Sequence, residues 1–226
     1  MPISNLSNGL RTGVCTSTNR PTTPYEGQVI YETDTDLSYI WGGTAWQQVS
    51  GGTAVGNSGL VYISTVTLSA AAGTAAQWSG TVFSSTYTNY RLVCNLTRTG
   101  GGDAVNMQLG IGTTATAADY YGGGYLISSS GAAAVSAFNQ TNTDRWTRAF
   151  GRFTTNSGCV IDITNPNVAS TTGIASTSTG GAGDADDNVC QFMGWQGGTT
   201  QFTSFALIST VTSCAGTIQV YGYRIP

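Results

Sequence analysis

Histidine and lysine are both absent from this 226-residue chain, and its eight basic residues are all arginine. Without histidine there is no Ser–His–Asp or Cys–His nucleophile, no imidazole acid–base group and no imidazole metal ligand. Without lysine there is no Schiff base and no P-loop lysine. Charged residues make up 8% of the chain, against roughly 25% in an ordinary soluble domain. The net charge is −3 and the pI about 4.6. The basic stripe that a phosphate backbone requires is therefore missing, and nucleic acid is not an expected partner. No apolar run reaches the ~18 residues of a membrane helix, so membrane insertion is not expected. The opening MPISNLSNGL lacks the apolar core of a signal peptide, so no signal peptide is expected and synthesis in a cytoplasm is the expectation.

What remains is rich in small, hydroxyl and aromatic residues. There are 31 Gly, 22 Ser, 36 Thr, 11 Tyr, seven Phe and five Trp, and 40% of the chain is apolar. Disordered chains are poor in aromatics, so a globular protein with a Thr/Ser/Asn/Gly surface is the better reading. Threonine suits a pleated sheet, and glycine and asparagine suit tight turns. Cys15, Cys94, Cys159, Cys190 and Cys214 are odd in number and widely spaced, which reads as buried reduced thiols rather than a disulfide framework.

Residues 20–49 contain a compact pattern. Pro21 and Pro24 force an extended entry, Gln28–Glu32 reads as a strand, and Thr33–Asp36 as a turn. Leu37, Tyr39 and Trp41 alternate as a second strand, Gly42–Gly43 turns the chain, and Thr44–Val49 forms a third. A meander of this size cannot bury a core alone. Its rings, Tyr31, Tyr39, Trp41 and Trp46, are expected to pack against a surface outside the meander. Residues 1–50 are thus assigned to an N-terminal module, 51–58 to a Gly/Ser/Asn linker, and 59–226 to a second domain.

That second domain alternates with period two. Leu92/Cys94/Leu96, Val105/Met107/Leu109/Ile111 and Cys159/Ile161/Ile163 each share a face. Val189–Trp195, Phe202–Val211 and Thr217–Tyr223 continue the pattern. The expected fold is all-β: the small N-terminal meander, then an antiparallel jelly-roll-like β-sandwich.

Two groups of residues carry a resemblance. The run Arg20-Pro-Thr-Thr-Pro-Tyr-Glu-Gly-Gln-Val-Ile-Tyr-Glu-Thr-Asp-Thr-Asp36, with Tyr39-Ile-Trp41 and Thr44-Ala-Trp46, closely resembles a short module of tailed-bacteriophage virion proteins. Val82–Arg91, Ile163–Asn167 and Gly216–Tyr223 resemble the distal β-domains of phage fibre proteins, especially from aquatic phages. The resemblance implies a non-enzymatic virion structural protein on the virion surface, assembled as a homotrimer. Residues 1–50 would then be its attachment and trimerisation module, with Tyr31, Tyr39, Trp41 and Trp46 in a threefold interface and other virion proteins of the tail or capsid as partners. A tail-fibre or receptor-binding role is the leading expectation, with capsid decoration protein or head fibre as the alternative. A polysaccharide-degrading enzyme is a remote alternative: the only glutamates are Glu26 and Glu32, and no long repeat is visible.

Candidate ligand contacts follow from the residues. Asp119 and the rings Tyr120, Tyr121 and Tyr125 surround Gly122–Gly124, which reads as a flexible turn, and Trp146 follows the polar run Asn139–Asp144. Exposed rings beside carboxylates suit the faces of host surface polysaccharide. Asp184, Asp186 and Asp187 lie in a Gly-rich loop and are weak candidates for Ca²⁺. Their spacing lacks the EF-hand glycine and terminal glutamate, so no metal and no cofactor is expected. Asp34 and Asp36 read as turn formers.

Overall fold

The computed structural model describes residues 12–50, 59–71, 76–98, 103–128, 135–153, 155–180, 188–209 and 213–224. They form two compact units divided between residues 50 and 59. The 51–58 linker and the aspartates Asp184, Asp186 and Asp187 lie outside the described residues.

The first unit is a four-stranded sheet of β1 (Gly13–Cys15), β2 (Val29–Glu32), β3 (Leu37–Trp41) and β4 (Trp46–Ser50), in that order. β2, β3 and β4 form the expected antiparallel meander. β1 was not expected; it pairs in parallel with β2. A parallel pair needs a crossover connection, and the segment with Pro21 and Pro24 supplies it. The residues of the Arg20–Asp36 run hold this crossover down. Arg20 Nε donates to the fully buried Glu32 carboxylate, and its guanidinium lies 4.4 Å over the Tyr39 ring. Thr35 donates to the other Glu32 oxygen at 2.9 Å, and the Ser17 N–H donates to Asp34 at 2.9 Å. Asp34 thus does more than form its turn.

These contacts give the unit a pH dependence. The Arg20 hydrogen bond holds the Glu32 carboxyl below its ordinary range against the upward push of burial. Hydrogen bonds from Ser17 do the same for Asp34. A lowered folded pKa stabilises above the unfolded value, about pH 4 here, and that stabilisation is lost as pH falls through the lowered values. The Trp41 and Trp46 indole signals are expected to reach their unfolded positions in acid well before neutral pH affects them. In Glu32→Gln the unit should already be weakened at pH 7 and its acid step should shrink. An unchanged acid step in this variant would remove the role assigned to Glu32.

The second unit is an antiparallel β-sandwich. Its strands are β5 (Gly59–Ala71), β6 (Gln77–Trp78), β7 (Asn89–Arg98), β8 (Asp103–Ile111), β9 (Thr114–Ala115), β10 (Tyr120–Ser128) and β11 (Val135–Thr143). They continue with β12 (Arg152–Phe153), β13 (Asn156–Thr164), β14 (Thr172–Gly180), β15 (Asn188–Gln196), β16 (Ser204–Ser209) and β17 (Cys214–Arg224). One sheet has eight strands in the order β11-β10-β15-β14-β13-β7-β17-β5; the other runs β12-β8-β16-β6, with β9 on β8. The core lies between them. Leu92, Leu96, Ile161, Ile163 and Phe192 of the large sheet meet Val105, Met107, Leu109, Phe205 and Leu207 of the small one.

Val105, Met107 and Leu109 of β8 face the core as their alternation predicts, whereas Ile111 at the strand end is 54% exposed, and the opposite, polar face is not in water. Asn106 and Gln108 are buried because the segment after β11 covers them. Gln108 donates to the Asp144 carbonyl at 2.8 Å, and Asn106 accepts from the Arg148 N–H at 3.0 Å.

All five thiols are free, and four are buried. Register puts Cys94, Cys159, Ser178 and Cys190 in one row of adjacent strands. The Cys94 contact and burial push the Cys159 thiol well above its ordinary value, and burial raises Cys190 and Cys214 to about 11. Thiolate is the reactive form, so Cys159, Cys190 and Cys214 should resist a thiol reagent until the protein unfolds, and Cys94 should resist it because it is buried out of reach. Rapid native labelling of Cys94 or Cys159 would contradict this register.

Candidate binding face of the large sheet

The ring cluster expected in a loop is divided by strand geometry. Tyr120 to Ser128 is a strand, so successive side chains point to opposite faces. Tyr120 is fully buried. Its hydroxyl accepts from the Leu109 N–H at 2.8 Å, and burial raises its pKa. Trp146 is also fully buried, edge-on to Tyr120 at 5.2 Å between ring centroids. Its indole N–H donates to the Trp195 carbonyl at 3.3 Å. Tyr120 and Trp146 therefore present no face to a sugar, which corrects their assignment as contacts. Their partners are far away in sequence, so only the three-dimensional pairing reveals their burial.

Tyr121 and Tyr125 point outward from the same strand. Tyr125 is 54% exposed, and Tyr121 stacks on Trp195 with centroids 5.4 Å apart and planes 11° from parallel. Asp119 is exposed just before the strand, with φ of 64° and its N–H bonded to the Asn142 side chain at 3.2 Å. The Gly122–Gly124 run is not a hinge. The Phe192 ring packs over Gly122 and Gly194, where a Cβ would come within 2.7 and 3.1 Å of its tip. Gly122 and Gly194 make room for a core ring, and Gly123 and Gly124 for the backbone of the paired strands.

Trp195, missed in the sequence, belongs to a wider feature. The outer face of the large sheet carries Tyr125, Ile127, Val135, Met193 and Trp195, all exposed. The row Arg91–Asp162–Ala175–Met193–Gly123 runs across five strands, β7, β13, β14, β15 and β10. Beside it runs Val93–Val160–Thr177–Gln191–Tyr125. Small residues of β14 lie between larger neighbours, leaving a depression of about 320 Å³ lined by Arg91, Val160, Asp162, Ala175, Gln191 and Met193.

At one end of this trough Asp162 is held by three donors. Arg91 reaches it through Nε at 2.8 Å and Nη2 at 2.7 Å, and the Tyr223 hydroxyl donates at 2.7 Å. The Arg91 hydrogen bonds keep its carboxyl below the ordinary range, with help from Tyr223 and against partial burial. The far end is apolar, with Met193 64% exposed; Trp195, 50% exposed, stands in the next row outside the trough. Among the described residues no group of three or more acidic or cysteine side chains is placed to hold a metal.

The four rings expected at a threefold interface are half-buried. Trp41 and Trp46 are cross-strand neighbours in edge contact at 5.4 Å, Tyr31 donates to Asp36 at 2.7 Å, and Tyr39 carries Arg20. The unit thus shields part of each ring by itself, which the sequence reading did not anticipate.

No family model matches the chain, and no curated protein or solved structure matches it significantly. No helix among the described residues is long and apolar enough to cross a membrane.

Proposed function

We propose that the chain is a non-enzymatic structural protein of a tailed-bacteriophage virion, a tail-fibre or receptor-binding appendage. In this reading the N-terminal unit attaches to the virion and the sandwich is displayed. The observation that carries it is the outer face of the large sheet, where rings and a thioether stand exposed beside a trough. Monomeric proteins seldom expose contiguous apolar surface that serves no contact. The Arg20–Asp36 resemblance supplies the virion context. Its conspicuous residues, Arg20, Glu32, Asp34 and Thr35, are those that lock the first unit together.

Threefold association is part of the proposal. The half-buried Tyr31, Tyr39, Trp41 and Trp46 retain apolar surface for it, worth about 25 cal/mol per Å² when covered. Antibody-gold labelling of intact virions tests the location. Label at the tail tip supports the fibre role; label over the head would replace it with capsid decoration. Light scattering tests the assembly, and a stable monomer at micromolar concentration would remove the trimer.

A further inference from the structure

The geometry points to the trough over β13, β14 and β15 as a binding site for a neutral saccharide. Arg91 and Asp162 are the charged groups lining it, and they neutralise each other. An ionic ligand would have to break that pair, whereas a neutral one leaves it intact.

The unsatisfied hydrogen-bonding capacity is that of side chains only. β13, β14 and β15 are interior strands, paired on both sides. Their backbone N–H and C=O groups are engaged in the ladders, so an extended peptide finds no strand edge here. Asp162 Oδ1 accepts from Arg91 Nε and Tyr223, while Oδ2 accepts from Arg91 Nη2 alone among the described residues. A carboxylate oxygen has two lone-pair sites, so Oδ2 retains room for one ligand hydroxyl. Thr177 and Gln191 face each other across β14 and β15, both exposed and with no side-chain partner among the described residues. They offer a hydroxyl and a primary amide side by side.

Beneath and beside these groups lie Ala175, Val160 and Met193, an apolar surface for the C–H face of a sugar ring. A purely apolar ligand would leave the polar side unpaired. A saccharide, with hydroxyls at its rim and C–H groups on its face, matches both halves. The volume of about 320 Å³ sits at the lower end of ligand-pocket sizes. Each bond contributes little net free energy, so single-site affinity should be weak and repetition along a polymer should raise it.

The assignment deepens the appendage role proposed above and rests on it. The two fail separately, because gold labelling locates the protein whether or not it binds sugar. The test is native affinity electrophoresis of the purified full chain through gels containing dextran, mannan or galactan, with polygalacturonate as the anionic comparison. At least one neutral polymer should retard the wild type. Ala175→Arg, which fills the trough from its solvent side, should reduce the apparent affinity tenfold or more with its melting temperature unchanged. Thr177→Ala with Gln191→Ala should also reduce it, providing a second variant that adds no bulk. Ile111→Ala, an exposed position on the other sheet, should keep the binding. Four outcomes would overturn the site: no retardation by the three neutral polymers, retardation by polygalacturonate alone, equal binding by Ala175→Arg, or dissociation of a wild-type oligomer by Ala175→Arg. The last would mean that a second copy covers the trough.

Discussion

Trp146→Ala is expected to destabilise the sandwich by about 3–5 kcal/mol, the usual cost of emptying a large aromatic site. The ring is fully buried, touches Tyr120 edge-on, and satisfies the Trp195 carbonyl through its indole N–H. Alanine removes the volume and leaves that carbonyl without this donor. For a domain of this size the melting temperature should fall by roughly 10 °C or more. Trp195→Ala should differ sharply. Its ring is 50% exposed and stacks on Tyr121 at the surface, while the carbonyl that Trp146 uses is backbone and survives. A loss within about 1 kcal/mol is expected there. Thermal melts of both variants decide the matter. Equal melting temperatures would contradict the division into a core tryptophan and a surface one.

Gly124→Ala should be comparably severe through the opposite mechanism. A Cβ at Gly124 would lie 1.8 Å from the Gln191 carbonyl oxygen, 2.8 Å from its carbon and 3.0 Å from the Phe192 Cα. These are backbone atoms of the paired strand, so no rotamer change relieves the overlap. The strands must part locally, at a cost at or above the upper end of overpacking, about 3 kcal/mol. β10 is also what joins β11 to the sheet. Hydrogen-exchange protection should therefore fall over both Tyr120–Ser128 and Val135–Thr143. Gly158→Ala is the control, because its Cβ would meet only Thr179 Oγ1 at 3.7 Å, an ordinary contact. Full protection of β10 and β11 in Gly124→Ala would refute the close approach.

Several elements were legible because their chemistry is local. Thr33–Asp36 turns the chain between β2 and β3, and the alternation of Leu92, Cys94 and Leu96 marks β7. Others were hidden for identifiable reasons. Gly122–Gly124 reads as a turn because glycine usually punctuates chains; here Gly122 admits the Phe192 ring, while Gly123 and Gly124 admit the close approach of neighbouring backbone. Thr172–Gly180 gave no strand signal because its inward row contains Thr172, Ser176 and Ser178. The polar run Asn139–Asp144 carries no apolar alternation because an edge strand has little to bury; as far as Thr143 it belongs to β11.

The all-β class, the break between the two units and the period-two faces were already determined by residue order. Alternation depends on neighbours two positions apart, and turns depend on a few adjacent residues. The proposed binding face was decided only by the tertiary structure. Period two says that Gln191, Met193 and Trp195 share a side, but not whether that side meets the core or water. It also cannot place Arg91, Asp162, Ala175 and Met193 in one row, because their strands are distant in sequence and their register is set by pairing. Tyr120 and Tyr121 show the same limit at its shortest range. One peptide bond separates them, yet one ring lies in the core and the other on the outer face, because the pleat turns successive side chains to opposite sides of the sheet.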